Sequence, residues 1–179
     1  MDIKSVHHVA YRCNDAQQTV DFYSKVVGIP YALAVAEDRV PSTGEKTPYM
    51  HLFFQLGDGN FLAFFELPES PPMGKDPNTP AWVQHIALKV ADEATLMRKK
   101  KEIEARGIDV IGPIDHTICK SIYFFDPSGH RLELAVDTTT PEMVKKLVDV
   151  AAPMLADWNK TKKIPKHAAW VHEKAFQRV

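Results

Sequence analysis

Cysteine is scarce. Cys13 and Cys119 are the only two in 179 residues, too few for a disulfide framework and in keeping with a reducing compartment. Charge imbalance is also lacking: 22 Lys and Arg against 23 Asp and Glu leave a net charge of −1, which gives no reason to expect nucleic acid or an anionic membrane as partner. The basic run Arg98-Lys99-Lys100-Lys101 reads as a solvated helix face. No apolar run approaches membrane-spanning length, and the opening MDIKSVHH lacks the apolar core of a signal peptide. The expectation is a soluble cytoplasmic protein with no nucleic-acid or membrane partner. What is present is a globular composition, 45% hydrophobic and 25% charged, sufficient for one ordinary domain or two small fused modules.

The informative feature is a repeat. VHHVAY at 6–11 and VQHIAL at 83–88 share the phrase Val-x-His-aliphatic-Ala-apolar. Each is followed by a helix cap, Asn14 or Asp15 in the first and Asp92 in the second. Each cap opens an apolar pattern of helical spacing, through Val20, Tyr23 and Val27 or Leu96 and Ile103, closed by Gly28 or Gly107. Extended segments follow: YALAVAED, PYMHLFFQLG and NFLAFFEL in one half, DVIGPI, SIYFFDP and HRLELAV in the other. The pattern is βαβββ twice. It predicts an α+β fold, two βαβββ modules (1–67 and 81–136) forming a curved mixed sheet. A Pro-rich linker occupies 68–80 and a helical extension 137–179.

Duplication alone explains matched apolar positions; it does not explain a histidine at the same place in both first strands. Each half also ends on a strand glutamate, Glu66 in FFEL and Glu133 in RLEL. Side chains alternate across a sheet, so a first-strand His and a last-strand Glu can share one face. His8, Glu66, His85 and Glu133 are therefore the candidate metal ligands. Buried carboxylates need a counter-charge, and a divalent cation supplies one. His with carboxylate suits Fe(II), Mn, Zn, Ni or Co, and two His with one carboxylate is the facial set of non-haem iron oxygenases. The pairing of VHHVAY with VQHIAL selects His8; His7 matches Gln84 and faces the other way.

With the His8-to-Asp15 opening, DFYSKVVGI, the second opening at His85 and DPSGHRLEL in view, residues 5 to about 136 resemble the vicinal-oxygen-chelate superfamily. Its members include glyoxalase, extradiol dioxygenases, an epimerase and the fosfomycin- and bleomycin-resistance proteins. The resemblance implies metal ligands at His8, His85 and Glu133, with Glu66 at the fourth position that glyoxalase-like members use. The stretch IDHTICKSIYFFDPSGHRLE is further similar to extradiol dioxygenases, which implies His116 as acid/base and Tyr123 as a substrate hydrogen-bond donor.

Glu66 pulls the other way. Three protein ligands on an octahedral metal leave three positions, two for catechol oxygens and one for dioxygen; four leave only two, which suits a bidentate enediolate. The favoured reading is an extradiol-type dioxygenase using Fe(II) on a small substrate with vicinal oxygens. The alternative is a glyoxalase-like isomerase, lyase or epimerase. A metal-free binding protein of the bleomycin-resistance type is the third, with the Phe-rich strands as its cleft.

In the extension, Thr140 and Pro141 open a helix with an apolar stripe at Val144, Leu147, Val148, Ala151 and Leu155. Pro153 is expected to kink or interrupt it. The stripe reads as packing on the outer sheet surface, with a lid or a homodimer contact as the alternative.

Overall fold

The computed structural model describes residues 2–171; His172 and Phe176 of the extension lie outside them. All eight predicted strands form. The first sheet has the order β1-β4-β3-β2, built from β1 (His8–Cys13), β2 (Tyr31–Glu37), β3 (Tyr49–Gln55) and β4 (Phe61–Glu66). The second has the order β5-β8-β7-β6, from β5 (His85–Lys89), β6 (Ile111–Asp115), β7 (Cys119–Phe125) and β8 (Arg131–Asp137). Each module thus places its first strand beside its last, which brings the repeated His strand next to the repeated Glu strand.

The caps act as their side chains allow. Asp15 accepts from Gln18 N at 2.7 Å and starts α1 (Ala16–Asp21). The helix widens to a π-helical stretch over Phe22–Val27, and Gly28 ends it at φ 88°, a left-handed position that glycine adopts without strain. Asp92 accepts from Thr95 N at 2.7 Å before α2 (Glu93–Glu104). Thr140 accepts from Met143 N at 3.2 Å and opens α3 (Pro141–Thr161).

Two compact units are present. One comprises the chain up to residue 86 with 102–109 and 125–132. Its core is Cys13, Phe22, Tyr23, Val27, Leu52, Phe54, Leu62 and Phe64, all buried, on the face of the first sheet that α1 covers. Tyr23 packs its ring 4.7 Å from Phe64 and 5.2 Å from Phe54. Its hydroxyl donates to Asp126 Oδ2 at 3.0 Å, and Asp126 also accepts from Ser128 N and His130 N at 2.9 and 2.8 Å. The Asp-Pro-Ser-Gly turn is held by that one buried carboxylate.

The other unit comprises 87–101, 110–124 and the chain from 133 on. Leu96, Ile122, Phe124, Leu134 and Val136 are buried there. Gly112, at φ 109°, has no room for a side chain: a Cβ would stand 2.6 Å from the Ser121 carbonyl oxygen.

α3 is not interrupted at Pro153, and its packing differs from expectation. None of its residues is buried. Met143, Leu147, Val150 and Met154 form the half-buried side, while Val144, Val148 and Leu155 of the expected packing stripe are 46%, 67% and 60% exposed. Among the described residues no helix is long and apolar enough to cross a membrane.

Candidate metal and substrate site

The first sheet decides which module-one residues share a face. β1 and β4 are parallel, with His8 opposite Phe61, Ala10 opposite Ala63 and Cys13 opposite Glu66. Paired residues point the same way and successive residues alternate. His8, Ala10, Phe61, Ala63 and Phe65 therefore share one face. His8 stands 6.0 Å, ring to ring, from His51 and 5.9 Å from Phe53, both on β3 and on that same face. His7, just outside the strand, keeps its Nδ1 2.8 Å from His8 Nδ1.

Glu66 is a correction. It stands an odd number of residues beyond Phe61, so it points to the opposite face, with Cys13. Burial first, and the carboxylates of Glu66, Asp126 and Asp15 after it, push the Cys13 thiol above its ordinary value. The expected sharing of a face between His8 and Glu66 fails on strand parity. The residue that does match Glu133 is Ala63. Gly59 precedes Ala63 as Gly129 precedes Glu133, both glycines are left-handed, at φ 85° and 89°, and Ala63 lies on the His8 face.

In the second sheet, His85 and Lys89 take one face of β5, and Glu133 and Asp137 one face of β8. The ion pair of Lys89 with Asp137 identifies these as the same face of the sheet. His85 Nδ1 lies 2.9 Å from the Val83 carbonyl oxygen. With the proton on Nδ1, Nε2 keeps the lone pair that a metal takes. Glu133 is buried and its Oε1 accepts from the Ser121 hydroxyl, which fixes the carboxylate plane.

Ser121 sits between Cys119 and Tyr123 on the same side of β7, and its Oγ is 3.6 Å from Cys119 Sγ. Burial, and then the carboxylates of Glu133, Asp137 and Asp115, raise the Cys119 thiol, outweighing its bond to Ser121. Tyr123 is buried, and its hydroxyl is 2.8 Å from His116 Nε2. His116 itself is exposed. The second module thus brings Glu133, Ser121, Tyr123 and His116 to one side of its sheet.

The donor types, imidazole and carboxylate, are ones a divalent cation takes. Among the described residues, no group of three or more His, Cys, Asp or Glu side chains stands together as a ready ion site.

Sequence reasoning missed Ser121, Ala63 and His51. Ser121 and Ala63 carry a parity signal, being on the same side as Tyr123 and His8. His51 alternates with Phe53 and stacks on Phe65 at 3.6 Å. Burial, then the nearby His8, lower its imidazole below the ordinary value.

Comparison with known proteins gives one answer about ancestry. A family model for the Glyoxalase/Bleomycin resistance protein/Dioxygenase superfamily matches residues 5–134. A putative ring-cleaving dioxygenase MhqA of Bacillus subtilis (strain 168) is 32% identical over 142 residues, covering 76% of this chain and 42% of its own length. This chain therefore spans less than half of that relative. A 2-epi-5-epi-valiolone epimerase of Actinomyces sp. is 28% identical, over 73% of this chain and 78% of its own. Among solved structures, a glyoxalase family protein from Enterococcus faecalis superposes with a TM-score of 0.54 at 27% identity, covering 75% of this chain and 99% of that one.

Proposed function

The chain belongs to the Glyoxalase/Bleomycin resistance protein/Dioxygenase superfamily, and from that premise we propose that it is a metal-dependent ring-cleavage dioxygenase of the extradiol type, acting on a catechol-like substrate. The observation that carries this reading is Ala63. Of the two module-one ligands expected, His8 and Glu66, only His8 keeps its place: the position matching Glu133 is a methyl group and Glu66 faces away. The ligand set is then His8, His85 and Glu133, two imidazoles and one carboxylate, the composition that suits Fe(II). Three ligands leave three octahedral positions, enough for two vicinal oxygens and one further small molecule. The relative named as a ring-cleaving dioxygenase points the same way.

When bound, the iron supplies a Lewis acid for the diol and a one-electron centre for dioxygen chemistry. The chain's own residues do the rest. His116, exposed and beside Tyr123, accepts the proton that a catechol hydroxyl must lose, a task suited to an imidazole near neutral pH. Tyr123 stays neutral and donates a hydrogen bond from its hydroxyl to the oxygen that becomes anionic. The aromatic side chains beside His8, among them Phe53, offer a flat wall to a ring.

We also expect contact between two copies of the chain in a homodimer. The wholly exposed strand β2, with Tyr31, Leu33 and Val35 42%, 46% and 43% exposed, supports such a contact.

The test is anaerobic loading with Fe(II), then catechol and oxygen. Oxygen uptake with a yellow ring-opened product is expected. His8→Ala, His85→Ala and Glu133→Ala abolish metal binding, while Glu66→Gln leaves it intact. The second reading, a glyoxalase-like isomerase or epimerase, has the epimerase relative in its favour. It takes over if no oxygen is consumed, Ni, Co or Zn restores turnover of a hemithioacetal or similar substrate, and Glu66→Gln loses metal.

A further inference from the structure

We infer that the C-terminal extension, which lies beyond the matched residues 5–134, straps the loop carrying His116, and that Thr117 is the positioning residue through which it acts. Thr117 has φ 71°. A β-branched side chain takes that left-handed conformation only where its surroundings hold it, and such positions gather at working sites.

All three polar groups of Thr117 are engaged. Its N–H donates to Asp115 Oδ1 at 2.7 Å. Its carbonyl accepts from Thr138 Oγ1 at 2.8 Å. Its hydroxyl donates to the Val171 carbonyl at 2.9 Å, across 54 residues of sequence. The loop is closed around it by His116 N to the Cys119 carbonyl at 2.8 Å and by Thr138 N to the Ile118 carbonyl at 3.1 Å.

The far end of the strap is itself anchored. Val171 N donates to the Ala168 carbonyl at 2.9 Å, and Ala168 is buried. Trp170 lies under Lys146 Nζ of α3 at 5.9 Å. A continuous path therefore runs from α3 through the tail to Thr117. The neighbouring residue is His116, whose Nε2 rests 2.8 Å from the Tyr123 hydroxyl. Glycine would relax the backbone at 117 but could not reach Val171; the hydroxyl is what the threonine adds.

The experiment uses the full chain with Thr117→Val, which keeps the shape and removes the hydroxyl, and Thr117→Ser, which keeps the hydroxyl. Histidine side-chain nitrogen NMR on the metal-free protein reads the His116–Tyr123 bond directly. The original chain and Thr117→Ser should show His116 as one tautomer; Thr117→Val should show it averaged. In the iron-loaded enzyme, Thr117→Val lowers kcat by about ten- to a hundredfold, the scale of a misplaced catalytic group, with KM unchanged and with rescue in Thr117→Ser.

The kinetic part rests on the dioxygenase reading; the NMR part does not. If His116→Gln turns over normally, that reading fails and the NMR still judges the strap. Should Thr117→Val not fold, Thr138→Val takes its place. A His116 signal unchanged by the deciding valine variant overturns the strap.

Discussion

Removing the Ser121 hydroxyl tests the proposed metal assignment without touching a proposed ligand. Ser121 is fully buried and donates to Glu133 Oε1. In Ser121→Ala the carboxylate loses a buried hydroxyl donor. Residues that orient a metal ligand typically contribute ten- to a hundredfold in metal affinity. That corresponds to about 1.4–2.8 kcal/mol, which agrees with the roughly 1.5–3 kcal/mol of a hydrogen bond to a charged group. Cys119 Sγ, 3.6 Å from the lost oxygen, cannot stand in, because S–H is a weak donor. Isothermal titration of the metal-free chain with Mn(II) or Zn(II), and chelator competition for Fe(II) without oxygen, read the affinity. Cys119→Ala is the control and should stay within about threefold of the original. An unchanged affinity in Ser121→Ala, in a protein that melts normally, refutes Glu133 as a ligand held by this bond.

Two further outcomes concern the scaffold. Tyr23→Phe leaves Asp126 with its two backbone donors but without the buried hydroxyl, at a cost of about 1.5–3 kcal/mol; urea unfolding should register it, with Tm falling by roughly 3–12 °C, and a midpoint within error of the original would sink the idea. Gly112→Ala places a Cβ against the Ser121 carbonyl at 2.6 Å and forces alanine to φ 109°, so it should destabilise by more than the roughly 1–3 kcal/mol of backbone strain alone; a melt unaffected by this change would show that β6 and β7 can move apart freely.

Periodicity and capping were enough to read the architecture. The strand pattern, the caps at Asp15, Asp92 and Thr140 and the stop at Gly28 are local features, decided by side chains within a turn or two of where they act. The repeated histidine phrase and the shared Gly-to-Glu133 and Gly59-to-Ala63 spacing were also present in the chain, although the second was hidden by the more conspicuous Glu66. Register removed Glu66 from the His8 face: a strand's alternation is visible in sequence, but its phase against a neighbouring strand is set by the ladder of hydrogen bonds between them. The partners brought together across the chain, Ser121 with Glu133, Tyr23 with Asp126 and Thr117 with Val171, were decided by tertiary structure alone. Each joins residues whose separation along the chain carries no signal, so only the folded backbone could bring donor and acceptor within bonding distance.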